Sequence, residues 1–409
     1  MGKARLENQL LNVSRGLLIL LIFAWTSNVF AARFDIEDYG ATANDDVDDT
    51  LAIRKALGAC EEADGGEVFV PAGIYRVARQ GSEWPILAIP SNTTLFGQGA
   101  ASILKFDPGV NKSDFWRMLG AGPTGCRNVT IRNLHLDGSN TFMSYEKGET
   151  PEHNQGVFFY DKEAVIENVT IRDCLVENFS GDCIGIGRGC RNITIRDVSV
   201  RNFVRQGIQM SGGDGARDYL VTGCQDLEGD VESGGSTIHV EHANGLKGVQ
   251  ITNNRCRRSI LAGGVDGIII RGNVIEGRLA GNGNSNAIVA GNIIHGLDRK
   301  GFVVQFGYAK GLILKDNIVI GAHEEAGGIY VWGSSSYNPE PSRDVVIAGN
   351  IVRVSSSGIL LNGVEHGRVS GNLFSPVGDK TYIVQKRSQN VRIDQPVQAA
   401  ERVDNSSPK

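Results

Sequence analysis

The sequence predicts an all-β fold, a single-stranded right-handed parallel β-helix of about ten stacked coils. Three observations predict it. First, a short alternating strand ending in a polar bend recurs seven times: NVTIRN at 128–133, NVTIRD at 168–173, NITIRD at 192–197, GVQITN at 248–253, GIIIRG at 267–272, GLILKD at 311–316 and DVVIAG at 344–349. Second, asparagine recurs just past the strand, as Asn254, Asn273, Asn292, Asn317, Asn350 and Asn372, at spacings of 19, 19, 25, 33 and 22 residues. Third, a second strand follows in most coils: GVFFY at 156–160, CIGIG at 183–187, GIQMS at 207–211, TIHVE at 237–241, GFVVQ at 301–305, GIYVW at 328–332 and GILLN at 358–362. Regular short strands joined by loops of variable length mark a solenoid in which each coil packs on its neighbours. A β-sandwich needs hairpin turn signals, and these are absent.

Each element has a local cause. The strands alternate apolar and polar residues, so one face of each turns into the bore. Asparagine suits the bend because it tolerates left-handed backbone, and stacked amides can hydrogen-bond from coil to coil. At the start, Asp49-Thr50 opens a helix that carries Leu51, Ile53, Ala56, Leu57 and Cys60 at helical spacing, and Gly65-Gly66 ends it. An amphipathic helix there covers the first coil, and Val68-Phe69-Val70-Pro71 begins the coils. Seven cysteines leave at least one unpaired, and no C-x-x-C signals zinc. Cys174 and Cys224 fall at equivalent positions two coils apart, which suits small hydrophobes stacked in the bore.

Residues 1–31 read as a signal peptide. Lys3, Arg5 and Arg15 precede an apolar run at 16–25, and Val29-Phe30-Ala31 fits a cleavage site. The run is shorter than the roughly 20 residues a spanning helix needs. The chain is therefore expected to be secreted or periplasmic, with no membrane segment after removal of the leader. Residues 32–395 form the β-helix domain and 396–409 a polar tail. The whole chain carries −5; the leader holds three basic residues and one acidic, so the remainder carries −5 − 2 = −7. That charge gives no support to nucleic-acid binding. Oligomeric state leaves no signal.

The start of the domain, FDIEDYGATANDD at 34–46 followed by the helix and GEVFVPAGIYR at 66–76, resembles pectate-lyase-like β-helix proteins. That superfamily includes polygalacturonase-type hydrolases, rhamnogalacturonases, lyases and mannuronan epimerases. The resemblance implies a polysaccharide partner lying along one face of the helix. Hydrolase signatures are incomplete. SGDCIGI at 180–186 is similar to the polygalacturonase D-D-C-(I/V)-A-I segment, but Gly181 stands where its first aspartate belongs, leaving Asp182. RQGIQM at 205–210 is similar to its G-H-G-I-S-I segment, but Gln206 replaces the histidine. The D-P-H-D motif of mannuronan epimerases is absent.

Alternation on the second strands gives an explicit surface. Ile184, Ile186, Ile208, Met210, Ile238, Val240, Ile329 and Val331 turn inward. The outward neighbours, rung by rung, are Phe158 and Tyr160, Gly185 and Gly187, Gln209 and Ser211, His239 and Glu241, Val303 and Gln305, Tyr330 and Trp332, and Leu360 and Asn362. Aromatics at both ends can stack on sugar rings, and glycines between them form a flat floor. Exposed aromatics also simply tile β surfaces. The binding set is Tyr160, Gln209, Gln305, Tyr330, Trp332, His242 and Glu232, the last in a loop with Glu228 and Asp230.

The catalytic candidates are His239, Glu241, Asp182, Arg205 and Arg188. Hydrolysis needs two carboxyls, for which Asp182 pairs with Glu241 or Glu232. β-Elimination needs a neutralised uronate carboxylate, from Arg188 or Arg205, and a base, for which His239 titrates near neutrality. The bland reading of His239 is a surface histidine paired with Glu241. Arg255, Arg257 and Arg258 form a basic run, and His323-Glu324-Glu325 a candidate lip. The acidic loop Asp45-Asp46-Val47-Asp48-Asp49 offers oxygens for calcium; no other cofactor is signalled. The expected function is cleavage of an acidic polysaccharide, with elimination favoured over hydrolysis. C5 epimerisation and non-catalytic glycan binding are the alternatives.

Overall fold

The computed structural model describes residues 31–107, 116–140, 154–160, 163–227, 235–297, 300–334, 338–375, 383–394 and 400–402. The leader at 1–30 and the loop carrying Glu228, Asp230 and Glu232 lie outside them. Arg33–Lys409 forms one compact unit. Its described residues contain one α-helix, Thr50–Glu62, and three parallel sheets of 14, 13 and 12 strands. Each coil adds one strand to each sheet, so the solenoid has more coils than the ten expected. Two rungs, Ile260–Ala262 and Leu279–Asn282, are too short to show alternation in the sequence.

The repeated NVTIR-type segments build the 14-stranded sheet. Val129, Ile131, Val169, Ile171, Ile193 and Ile195 are buried in register, forming one wall of the bore. Left-handed backbone at the following bend belongs to the residue before each repeated asparagine: Asn253, Gly272, Gly291, Asp316, Gly349 and Gly371. The asparagines themselves are buried, which corrects the expectation that they supply the turn. Each amide donates to the next coil's Oδ1 at 2.9 Å from Asn254 to Asn372. Earlier coils place Leu134, Cys174, Val198 and Cys224 at this position, and Asn254 Oδ1 accepts the Cys224 N–H at 2.9 Å. All seven cysteines are buried, and none is joined in a disulfide. Burial pushes the Cys174 and Cys224 thiols up to about 12, so they pack as apolar groups.

The helix lays Ile53, Ala56, Leu57 and Cys60 on the first coil. Its acidic entry loop is committed to the backbone and to the side chains of Thr50, Arg76 and Gln80. Asp49 accepts the N–H groups of Thr42 and Arg76, Asp48 the N–H and hydroxyl of Thr50 and the Gln80 amide, Asp45 the N–H of Val47, and Asp46 pairs with Arg76. Among the described residues, no group of three or more His, Cys, Asp or Glu side chains is placed to hold a metal ion. No helix among them is long and apolar enough to cross a membrane.

Candidate functional site

The second strands of the sequence reading build the 13-stranded sheet, and its outward face carries the site. One column of residues runs Gly185, Gln209, His239, Leu261, Ala280, Gln305, Tyr330 and Leu360. Leu261 and Ala280 therefore separate His239 from Gln305, which stands three rungs away instead of one. Val303, expected to point outward, is buried. Glycines in adjoining bends make room for it; a Cβ on Gly296 or Gly321 would come within 2.5 Å or 3.3 Å of a Val303 methyl.

The glycines are not an open floor. A Cβ on Gly185 would lie 2.1 Å from the Phe158 ring, and one on Gly187 2.1 Å from the Tyr160 ring. Trp332 covers Gly307 in the same way. Phe158, Tyr160 and Trp332 each lie against the adjoining rung because that rung has no side chain there. At the far end, Tyr330 and Trp332 stack with centroids 5.1 Å apart, and Phe302 lies 5.0 Å from Tyr330.

The centre is a chain of polar contacts. Asp182 is fully buried, which corrects its expected place at the open surface. Its carboxylate accepts from Gln155 Nε2 at 2.7 Å and from Arg205 Nη1 at 2.9 and 2.7 Å. Burial pushes this carboxyl up to about 7, against the pull of the Arg205 guanidinium and the Gln155 amide. Arg205 also pairs with Glu241, so one guanidinium bridges a buried and a groove-facing carboxylate. Glu241 Oε2 lies 3.8 Å from His239 Nδ1.

Gln206 fixes the histidine. Its Oε1 accepts the Ser236 N–H at 2.7 Å, so its amide nitrogen must face His239 Nδ1, 3.0 Å away. Nδ1 thus accepts, and the neutral ring carries its proton on Nε2. Burial lowers the His239 pKa, helped by Arg205 and His242 and opposed by Glu241. The ring is accordingly a neutral hydrogen-bond donor at neutral pH. Its other nitrogen, the one a base would use, is engaged.

His239, Glu241, His242 and Trp332 line a cavity of about 440 Å³ together with Asn244 and Asn282. Of the expected site residues, the structure joins His239, Glu241, Asp182 and Arg205 directly. Gln209 is buried beside His239, with its Oε1 unpartnered. Gln305 is turned back on Phe302 O at 2.8 Å. Tyr160 and Tyr330 mark the two aromatic ends. Arg188 stands exposed on the bend after Ile184–Ile186, against Gly213, and shares no ion pair or hydrogen bond with the central groups. Arg257 pairs with Glu276 at 2.9 Å, and Arg258 lies over the Phe203 ring. The His323 loop closes on itself: His323 Nδ1 accepts the Glu325 N–H, and Glu325 pairs with Lys300.

Sequence reasoning missed the positioning roles of Gln155 and Gln206, and missed Arg117 altogether. Trp116–Gly120 is a rung of the same sheet, and Arg117 between the apolar Trp116 and Met118 was the available signal.

Comparison with known proteins places this geometry. Residues 33–118 match the family described as rhamnogalacturonase A/epimerase, pectate lyase-like, and residues 182–343 match the right-handed β-helix region. The chain is 32% identical over 145 residues to mannuronan C5-epimerase AlgE3 of Azotobacter vinelandii, covering 34% of this chain and 8% of that one. It is 28% identical over 149 residues to alginate lyase 7 of the same organism, 34% and 17% of the two chains. The matched region thus spans under a fifth of either relative's length. In three dimensions the A-module of mannuronan C-5 epimerase AlgE4 of Azotobacter vinelandii overlays 92% of this chain and 100% of its own, with a TM-score of 0.61 at 18% identity. Sequence and architecture agree on the fold: the chain is a right-handed parallel β-helix whose first coils are similar to pectate-lyase-like proteins.

Proposed function

We propose that this protein is an enzyme acting on an acidic polysaccharide, and that it works by taking the C5 proton of a uronate held over His239 and Glu241. One observation carries the choice of reaction. Asp182 is wholly buried, so Glu241 is the carboxylate of the described central cluster that meets the groove. Hydrolysis needs two carboxyls flanking the bond. Proton abstraction needs one base and a donor for the charge that develops on the uronate carboxylate.

Glu241 is the base, oriented by Arg205. His239, with Nε2–H, donates to the uronate carboxylate as the charge develops, the role a neutral imidazole can fill. Asp182 acts through Arg205, and Gln206 acts through His239; both are positioning residues. In the step itself the C5–H bond breaks and its proton passes to Glu241. The electron pair becomes the C4–C5 double bond as the C4–O bond breaks, and the departing oxygen takes the proton from Glu241. Return of a proton to the opposite face of C5, without C4–O cleavage, is the epimerase outcome; the likeness to mannuronan C5-epimerases favours carrying it as the second reading.

The test is incubation with galacturonan, mannuronan and neutral glycans, read for unsaturated uronate by ultraviolet absorbance, for reducing ends, and for solvent deuterium at C5. Elimination gives absorbance and reducing ends together. Deuterium without cleavage selects epimerisation. Glu241→Gln is expected to cost about 10²–10⁴-fold in either case. Reducing ends without absorbance or deuterium sink the proposal in favour of hydrolysis; binding without any turnover sinks it in favour of a glycan-binding protein.

A further inference from the structure

We propose that Arg117 forms a second, non-catalytic subsite, which grips the carboxylate of another acidic sugar unit at the N-terminal end of the groove. The proposal rests on the polysaccharide reading above and adds where the chain is held and by which charge.

Arg117 is an unusual cation in this chain. It is only 8% exposed, and its guanidinium lies 3.7 Å from the Trp84 ring centroid and 3.6 Å from that of Phe158. Aromatic rings cover both faces, which leaves only the in-plane N–H groups to bind anything. Its Nε is buried without an acceptor. No ion pair satisfies it among the described residues. Two carboxylates line the same cleft, Glu83 and Glu163; Glu83 is taken by Arg54 at 2.6 Å, and neither forms an ion pair with Arg117 among the described residues. A buried charge without an ion-pair partner is costly, and burial brings the Arg117 pKa down to about 9 against the more distant attraction of Asp182. Arg205 and Arg201, by contrast, each have a carboxylate.

The surroundings suit a sugar acid. Arg117 lines a cleft of about 720 Å³ whose walls include Trp84, Phe158 and Tyr160, and Trp84 is 43% exposed. Exposed aromatic faces accept a pyranose ring, while a guanidinium edge matches a carboxylate with two parallel hydrogen bonds. Stacking fixes the plane of that edge. The strands Trp116–Gly120 and Ser236–Val240 are four rungs apart in the sheet, about 19 Å at 4.8 Å per rung. One bound chain lying along the sheet therefore reaches both sites.

The experiment is calorimetric titration of the full chain with oligogalacturonate and oligomannuronate long enough to span four rungs. The same oligomers with their carboxyls reduced to alcohols, and a sulfated neutral oligomer, are the controls. Wild type is expected to bind an acidic oligomer at least about tenfold more tightly than its reduced or sulfated counterpart. Arg117→Met, which keeps the stack filled, is expected to lose that margin, and Arg117→Lys to keep part of it. The acidic-versus-reduced comparison stands on wild type alone should a variant not fold. Equal binding of reduced or sulfated oligomers, or an Arg117→Met variant matching wild type, overturns the subsite. If wild type neither binds nor turns over any acidic oligomer, the polysaccharide reading falls as well; if it does both and Arg117→Met is unaffected, only the subsite falls.

Discussion

Asp182 holds the site from below. It is buried at 0% exposure, yet it bonds Arg205, which in turn orients Glu241. The sign of its effect on stability follows from its raised pKa. Unfolded, the carboxyl releases its proton near 3.8; folded, it keeps it to about 7. Between those values the folded state binds the proton more tightly, so Asp182 costs stability progressively as pH rises from about 4 to 7, with no further change above. Asp182→Asn removes this titration, and its melting temperature should vary less with pH across that window than wild type's. An unchanged slope in thermal melts sinks the assignment. Because Asp182 acts through Arg205, the variant should lose kcat with little change in KM, whereas general unfolding lowers the active fraction without a pH signature. Asp182 and Glu241 were legible in the sequence as candidates, but their depth was not. Whether Asp182 faces water depends on Gln155 and Arg205 folding over it from neighbouring rungs, and only the register reveals that.

At the scale of an element, the asparagine ladder shows what repeated residues do and do not disclose. Its six positions were plain in the sequence, as were seven strands of the 14-stranded sheet, because alternation and bend recur together. The turn geometry was misplaced by one residue: Gly272 and Gly291 take the left-handed backbone, and the asparagines that follow turn inward. Asn292 illustrates the load each one carries. It accepts from the Asn273 backbone and side chain at 3.0 and 2.9 Å, and donates to Ile270 O and to Asn317 Oδ1. Asn292→Ala leaves several of these groups buried and unpaired, at a cost of about 2–4 kcal/mol by urea unfolding. A loss below about 0.5 kcal/mol would mean that water replaces the ladder. The rungs 260–262 and 279–282 were illegible for a different reason. Three or four residues are too few to show a period, and only pairing with Val240 and Gln305 on either side defines them.

The whole molecule is a stack in which every coil leans on the next, so its ends decide how it comes apart. Among the described residues the three sheets begin with the strands Arg33–Asp35, Gly73–Val77 and Leu87–Ala88, and the loop at Asn44 and Asp49 hydrogen-bonds the outer edge of Gly73–Val77. The helix Thr50–Glu62 covers that end, with Ile53 at 0% and Leu57 at 3% exposure. The cap was read from helical spacing alone, since a solenoid without one exposes its first rung to other chains. Ile53→Asp places a carboxylate among Val68, Leu95 and the other apolar residues of that end, a burial too costly to keep. The helix should then lift while later coils hold, because each of those is stabilised by its own neighbours and by the asparagine ladder. Hydrogen exchange followed along the chain tests this. Amides of Gly66–Phe69 and Thr93–Phe96 should lose protection first in the variant, while those of Asp266–Arg271 and Ser285–Ala290 stay protected. Uniform loss of protection from one end to the other would show that the coils unfold as a single cooperative unit and that the cap secures the whole stack at once.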